Sequence, residues 1–136
     1  MSYYLKLYLG TLAAFLAIDA VWLTVVARGF YSDHLGFLLA AEPNWVAAGV
    51  FYLLFVAALQ VFVILPGLRA ASAKYIVSRG AFFGLVTYAT YDLTNLATVR
   101  NWPVIVTVVD LIWGAVLSLT VSLAGYHLGR RLGRDS

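Results

Sequence analysis

Four long apolar runs dominate this sequence, and they restrict the chain to very few folds. The runs cover approximately residues 7–27, 45–65, 80–99 and 103–127. A bilayer core of about 30 Å needs roughly 20 mostly apolar residues per helix, so each run is long enough to cross it. The runs are continuously apolar and lack the alternation of barrel strands, which indicates helices. The expected fold class is therefore all-α: an integral membrane four-helix bundle built from antiparallel hairpins.

The composition excludes most classes of soluble protein. Of the 136 residues, 63% are hydrophobic and only 11% are charged, whereas a soluble domain carries about 25% charged residues. The absence of cysteine excludes disulfide scaffolds, thiol catalysis and thiolate metal sites. The net charge of +3 is too small and scattered for a nucleic-acid-binding face. We expect a single membrane domain over residues 1–136, with membrane lipid around it and no nucleic acid as a partner.

The basic residues predict how the bundle is oriented. Cytoplasmic loops of membrane proteins carry an excess of lysine and arginine. One side of the membrane receives seven basic residues, which are Lys6, Arg69, Lys74, Arg79, Arg130, Arg131 and Arg134. The other side receives only Arg28 and Arg100. We therefore expect both termini, including a basic tail over residues 128–136, to lie in the cytoplasm.

Local signals predict how the helices are joined. Asn44 and Asn101 stand where helix N-cap residues are expected, and Pro103 suits the first turn of the last helix. Residues 30–39 mix aromatic and polar side chains, which fits either a short amphipathic helix on the outer surface or an ordered loop. Residues 100–102 form so short a break that the last two spans should make a tight hairpin.

Three aspartates lie inside the apolar runs, where ionisable residues are costly. An unpaired aspartate at the centre of a membrane helix costs about 2.5–3.5 kcal/mol, so Asp19, Asp92 and Asp110 need partners. At 1.5 Å per residue, all three lie roughly 10 Å below the outer interface. We expect them to face the bundle interior at one level, in the outer half of the membrane. Trp22 and Trp113 each follow an aspartate by three residues and offer an indole N–H to a nearby carboxylate.

The third run adds further polar side chains at this level. Tyr88, Asp92 and Asn95 share one helix face by their spacing, and Tyr91 belongs to the adjoining stripe. His34 lies in the connection above and is a candidate to close the site. A purely structural role, in which these groups only fix the packing of the helices, is the alternative. The candidate ligand- or ion-binding residues are Asp19, Trp22, His34, Tyr88, Tyr91, Asp92, Asn95, Asp110 and Trp113.

Several familiar chemistries lack the residues they need. The two histidines, His34 and His127, belong to opposite ends of the bundle and cannot both ligate one haem within a monomer. No spacing matches a zinc site, a phosphate-binding loop, a dinucleotide fingerprint or a serine nucleophile elbow. We expect no metal and no cofactor, and we assign no catalytic residue.

Residues 88–98, YATYDLTNLAT, resemble a segment of a family of small bacterial membrane proteins with four spans, catalogued as a domain of unknown function. The likeness extends to residues 19–22, 30–36, 43–45 and 110–114, and it covers nearly all of the chain before about residue 127. The resemblance implies a four-helix fold in the bacterial cytoplasmic (inner) membrane. It implies no activity and no catalytic residues.

Three functions stay open at this point. The polar residues favour the binding or transport of a small ligand, a cation or a proton. A membrane-embedded enzyme acting on lipid or another apolar substrate, and an accessory subunit of a larger membrane complex, are the alternatives. Gly80 and Gly84, like Gly114, Ser118 and Ser122, have the four-residue spacing that lets helices approach closely, within the chain or in a homo-oligomer.

Overall fold

Four long helices make up the computed structural model, which describes residues 2–135 without the side chains of residues 134 and 135. The side chain of Arg134, counted above in the basic tail, thus lies outside the described part. The helix bounds are Tyr3–Leu35 for α1, Trp45–Ala70 for α2, Ala73–Thr98 for α3 and Val104–Asp135 for α4. Residues 36–44, 71–72 and 99–103 connect them. We call the end that holds residues 36–44 and 99–103 the loop end, and the opposite end the terminal end.

Length and composition make three of these helices candidate membrane spans. They are Tyr3–Leu35, Trp45–Ala70 and Val104–Gly133. The remaining helix, α3, is less apolar because its second half contains several tyrosines and threonines and one aspartate. It nevertheless lies in the bundle and packs against α4 more extensively than any other pair of elements. The expected all-α membrane bundle is confirmed.

The first helix extends well beyond the predicted span. It does not end near residue 27 but continues to Leu35, so its last two turns are neither a separate surface helix nor a loop. A π-helical stretch over Trp22–Ala27 joins its two α-helical parts. Leu35 then packs with Trp102 and Val106 at the loop end.

The second helix continues through a proline. A π-helical stretch over Gln60–Ile64 precedes Pro66, and the N–H of Leu65 donates to the carbonyl of Gln60, five residues back. Proline lacks an N–H and crowds the carbonyl four residues before it, so a wider turn at this point accommodates it. The helix ends before Ala71, which has a left-handed backbone with φ 50°.

The third and fourth helices approach closely because glycines line their contact. A side-chain carbon added to Gly84 would lie 2.0 Å from the backbone oxygen of Gly114. One added to Gly80 would lie 3.0 Å from the Cα of Leu119 and 3.1 Å from Ser122 Oγ. The small residues at four-residue spacing therefore pack helices within the chain, which is how such spacings act in membranes.

One of the two expected helix caps is confirmed and the other is corrected. Asn44 accepts a hydrogen bond from the N–H of Ala47 at 3.0 Å and caps α2. Asn101 lies too far ahead of Val104, the first residue of α4, to cap it, and it has φ 62°. Asparagine adopts this left-handed conformation more readily than most residues, so Asn101 turns the chain instead. Pro103 directly precedes the helix.

Two apolar clusters are stacked along the bundle. The larger one fills the terminal half, where Phe15, Leu59 and Leu117 are completely buried. The smaller one lies at the loop end and consists of the buried side chains of Leu35, Trp102 and Val106 with partly buried neighbours. The three aspartates of the spans lie between these clusters.

Candidate functional site

A cavity of about 670 Å³ lies between the two apolar clusters, and all four helices line it. Along α1 it occupies the stretch between Phe15 and Leu35, and along α4 the stretch between Val106 and Leu117. Sites for small molecules measure about 300–1,000 Å³, so the volume falls within their range.

The cavity wall brings together seven of the nine side chains singled out in the sequence. These seven are Asp19, Trp22, Tyr88, Tyr91, Asp92, Asp110 and Trp113. The three aspartates come from three different helices, α1, α3 and α4, and meet at one level of the bundle. Their role in binding a ligand stays a prediction.

Asp92 is the least satisfied polar residue of the wall. It is fully buried, with 0% of its surface exposed. Neither of its carboxyl oxygens has a hydrogen-bond partner among the described residues. The carboxyl group of Asp110 lies within hydrogen-bond range of Asp92, and the two can bond only when one of them is protonated. A buried polar group without a partner costs about 1–3 kcal/mol, and more if it is charged.

The backbone that carries Asp92 is held firmly. Thr107 donates its hydroxyl hydrogen to the backbone carbonyl of Asp92 at 3.3 Å. The indole N–H of Trp102 donates to Thr107 Oγ1 at 3.0 Å. These bonds tie α3 to α4 just below the loop-end cluster, so the unpaired side chain of Asp92 stands on an anchored backbone.

The other two aspartates have donors close by. The hydroxyl of Tyr31 donates to Asp110 Oδ1. Asp19 faces two donors from other helices, the hydroxyl of Tyr52 and the indole N–H of Trp113. Each of these carboxyl groups thus has a neutral donor beside it, and no basic side chain of the described residues lines the cavity.

The two tryptophans of the wall form an interhelical stack. The rings of Trp22 and Trp113 lie 4.2 Å apart between centroids, with 8° between their planes. Although each follows an aspartate by three residues, Trp113 faces Asp19 of α1 and Trp22 faces the hydroxyl of Tyr31. The Asp-x-x-Trp spacing therefore places the indoles for contacts between parts of the bundle.

Two of the predicted site residues lie away from the cavity. The ring of His34 packs on Phe30 with centroids 4.5 Å apart, and its Nδ1–H donates to the Phe30 carbonyl at 2.9 Å. Asn95 lies one turn beyond Tyr91 on α3 and faces the Tyr91 hydroxyl, but it does not line the cavity. The loop end is closed by the apolar cluster and not by His34, because α1 continues as a helix and turns its histidine onto its own surface.

Two tyrosines of the wall were missed by the sequence analysis. Tyr52 lies seven residues after Trp45, just as Asp110 lies seven residues after Pro103. The same estimate of depth, applied to hydroxyl groups as well as carboxyl groups, identifies Tyr52. Tyr31 reaches the cavity only because α1 continues beyond residue 27, and the sequence carried no signal for that.

Among the described residues, the aspartates of the cavity wall have no basic side chain beside them in the lining. No lysine, arginine or histidine side chain lines the cavity in the part of the chain that the structure describes. Over the same residues, no three His, Asp or Glu side chains form a group able to hold a metal ion. The carboxyl groups of Asp92 and Asp110 lie within hydrogen-bond range of each other, whereas Asp19 faces donors from two other helices. Such a wall is complementary to a small organic molecule that carries a cationic or hydrogen-bond-donating group.

Comparison with known proteins identifies a family but no characterised relative. No curated protein and no solved structure matches the chain. A family model described as "Predicted membrane protein (DUF2177)" matches residues 4–127. The matched segment includes every residue of the cavity wall. The resemblance noted at residues 88–98 is thereby confirmed, and the chain belongs to this family of membrane proteins, which is defined by a domain of unknown function.

Proposed function

We propose that the protein binds a small organic ligand with a cationic or hydrogen-bond-donating group in the cavity between its four helices. Asp92 carries the proposal: its carboxyl group is fully buried, lines the cavity and has no hydrogen-bond donor among the described residues, while the carboxyl group of Asp110 lies beside it. A buried acceptor that receives no hydrogen bond is destabilising. A donor or cation on the ligand would bind between these two carboxyl groups, where the described residues supply no donor to Asp92.

The size of the cavity favours an organic ligand over a proton or a bare ion. A volume of about 670 Å³ exceeds what an ion with a few ligands occupies. The described residues hold no group of three His, Asp or Glu side chains able to ligate a metal ion, which points the same way. A ligand with several contact points uses Asp19, Asp92 and Asp110 together.

The terminal half of the bundle favours binding over transport through a single chain. Phe15, Leu59 and Leu117 are all 0% exposed there. Gly84 lets α3 lie so close to α4 that an added carbon would meet the backbone of Gly114 at 2.0 Å. Passage from the cavity to the terminal end would require these packed elements to separate.

The basic residues support placing the cavity in the outer half of the membrane. Their concentration at the terminal end and in residues 71–79 favours a cytoplasmic position for both termini. The loop end, and with it the cavity, then belongs to the outer half of a bacterial cytoplasmic membrane. This orientation is part of the proposal.

Native mass spectrometry of the protein purified in mild detergent tests the proposal. The variants are Asp92→Asn and, as a matched control, Asp33→Asn, which changes an exposed aspartate outside the cavity. We expect the wild type and Asp33→Asn to carry the same small-molecule adduct and Asp92→Asn to lose it. Bare protein in all three samples, or an adduct that Asp92→Asn retains, would contradict the proposal.

Two other outcomes would replace the proposal with one of its alternatives. A bound compound that is chemically altered by the protein would indicate an enzyme acting on an apolar substrate. A second polypeptide that stays attached through purification, with no small molecule, would indicate an accessory subunit of a membrane complex.

A further inference from the structure

We propose that the ligand is an amphiphile with a cationic head group and an apolar chain, and that it enters the cavity sideways from the lipid. This inference rests on the proposed binding function. It adds the chemical class of the ligand and the route by which the ligand reaches Asp92.

Packed apolar side chains lie beyond the cavity at both ends of α1 and α4. At the loop end, Leu35, Trp102 and Val106 are 6%, 8% and 0% exposed and pack together. At the terminal end, Phe15 and Leu59 are 0% exposed. A ligand that moved along α1 or α4 from either aqueous side would have to displace these side chains.

The cavity is open on its side. Leu23, Phe51 and Tyr91 line it and yet are 48%, 45% and 58% exposed. They come from α1, α2 and α3, so their exposed faces form a rim around an opening between helices. At this level of a membrane the surroundings are acyl chains, and the opening therefore faces lipid.

The opening lies beside α2, whose two parts pack mainly on different helices. Through Gln60–Ile64 and Leu65–Ala70, α2 packs against α3 and α4. Its loop-end part, Trp45–Leu59, packs chiefly on the first part of α1. Phe55 still contacts Phe83 and Tyr88 of α3, with ring centroids 5.6 and 6.4 Å apart, so the contact between α2 and α3 weakens only beyond Phe55 toward the loop end. We place the lateral mouth there, where Ala48 and Phe51 of α2 line the cavity.

The chemistry of the wall matches a two-part ligand. Asp92 and Asp110 supply acidic groups in the interior, and no basic side chain of the described chain lines the wall to neutralise them. Leu23 and Phe51 supply an apolar rim. A cationic head fits the first region and an apolar chain lies along the second, whereas an anionic head group would be repelled.

Thermal unfolding of the detergent-purified protein tests this assignment. A ligand that binds the folded state raises its apparent Tm. The probes are dodecylamine, dodecanoate with the same chain and an anionic head, and butylamine with the same head and a short chain. Ala48→Trp plugs the mouth from the cavity wall, and Ala47→Trp adds the same bulk one residue away on an exposed face. Leu23→Trp is a second plug for the case that Ala48→Trp does not fold.

We expect dodecylamine to raise the Tm of the wild type and of Ala47→Trp at a concentration roughly tenfold below that of butylamine, because the chain adds buried apolar surface. Dodecanoate should produce no rise. In Ala48→Trp or Leu23→Trp, stabilisation by dodecylamine should be lost while that by butylamine persists.

Equal potency of the two amines, stabilisation by dodecanoate, or full response of both plugged variants would overturn the amphiphile and its lateral route. As long as an amine also stabilises the protein, the proposed function would stand, whereas stabilisation by dodecanoate alone would contradict both proposals. If no amine stabilises any of the proteins, the proposed function itself fails, and this inference fails with it.

Discussion

The indole rings of Trp22 and Trp113 stack nearly parallel, 4.2 Å apart between centroids, and thereby join α1 to α4 at the cavity wall. The π-helical stretch of α1 begins at Trp22, so the stack holds the helix where its geometry changes. Aromatic pairs contribute about 0.5–1.5 kcal/mol beyond their buried area. Because Trp113 also packs against the core of the terminal half, the stack connects the cavity wall to that core.

A double-mutant cycle measures that contact. We expect Trp22→Leu and Trp113→Leu to show a coupling free energy of about 0.5–1.5 kcal/mol. The first substitution already abolishes the stack, so the second one has no stacking energy left to remove. The free energy of unfolding is measured by titration with a denaturing detergent. Simple additivity of the two substitutions would show that the stack contributes nothing of its own.

Removing the hydroxyl of Tyr31 should destabilise the protein. The hydroxyl donates to Asp110 Oδ1, and Asp110 is only 7% exposed. Tyr31→Phe leaves that acceptor without its donor, at an expected cost of about 1–3 kcal/mol in the free energy of unfolding. Tyr4→Phe is the matched control, since the Tyr4 side chain is 61% exposed. Equal effects of the two substitutions would contradict the assigned hydrogen bond.

The contact between α3 and α4 predicts that a glycine-to-alanine substitution destabilises the protein at this contact but stabilises it elsewhere. A methyl group at Gly84 meets the backbone oxygen of Gly114, which cannot rotate away. We expect Gly84→Ala to cost about 1–3 kcal/mol by overpacking. Gly29→Ala and Gly49→Ala place a methyl group where no described atom lies within 4 Å. They should stabilise their helices by up to about 1 kcal/mol.

Those three variants are compared by thermal unfolding in one detergent. If Gly84→Ala behaves like the two controls, the helices can separate without cost and the close approach of α3 and α4 is wrong.

The end of α2 offers a stabilising substitution. Ala71 has φ 50°, a left-handed conformation that costs a residue with a Cβ about 1–2 kcal/mol. Glycine adopts it freely but loses more entropy on folding, so Ala71→Gly should stabilise the protein by about 0.5–1 kcal/mol. Ala70→Gly, at the last helical position, should destabilise it by a similar amount. The same sign for both variants would contradict the left-handed cap.

The four helices and the level of the aspartates follow from the sequence. Hydropathy and span length predict the helices, because lipid requires continuous apolar runs. A count of residues from the span ends predicts that Asp19, Asp92 and Asp110 lie at one level, and they line one cavity. Counting works here because the rise per residue of a helix is nearly constant.

The remaining features depend on contacts between distant residues. The indole of Trp113 faces Asp19 on another helix, which depends on how α1 and α4 are rotated in the bundle. The continuation of α1 to Leu35 depends on packing against Trp102 and Val106. Pro66 is a local signal for the π-helical stretch over Gln60–Ile64, whereas no proline accompanies the one over Trp22–Ala27. His34 was assigned to the site because residues 28–44 were read as a connection, whereas eight of them are helical.

The central claim, an acidic cavity that selects cations at Asp92, is tested most directly by cysteine labelling. The chain has no cysteine, so Thr87→Cys places a single thiol on the cavity wall and Ala41→Cys places one in an exposed connection as the reference. The rates of reaction are measured with a cationic and an anionic methanethiosulfonate of similar size. We predict that the cationic reagent is preferred at Thr87→Cys roughly tenfold more than at Ala41→Cys, and that adding Asp92→Asn reduces this preference, because acidic walls concentrate cations. The same preference at both positions, or a preference that Asp92→Asn leaves unchanged, would contradict the account.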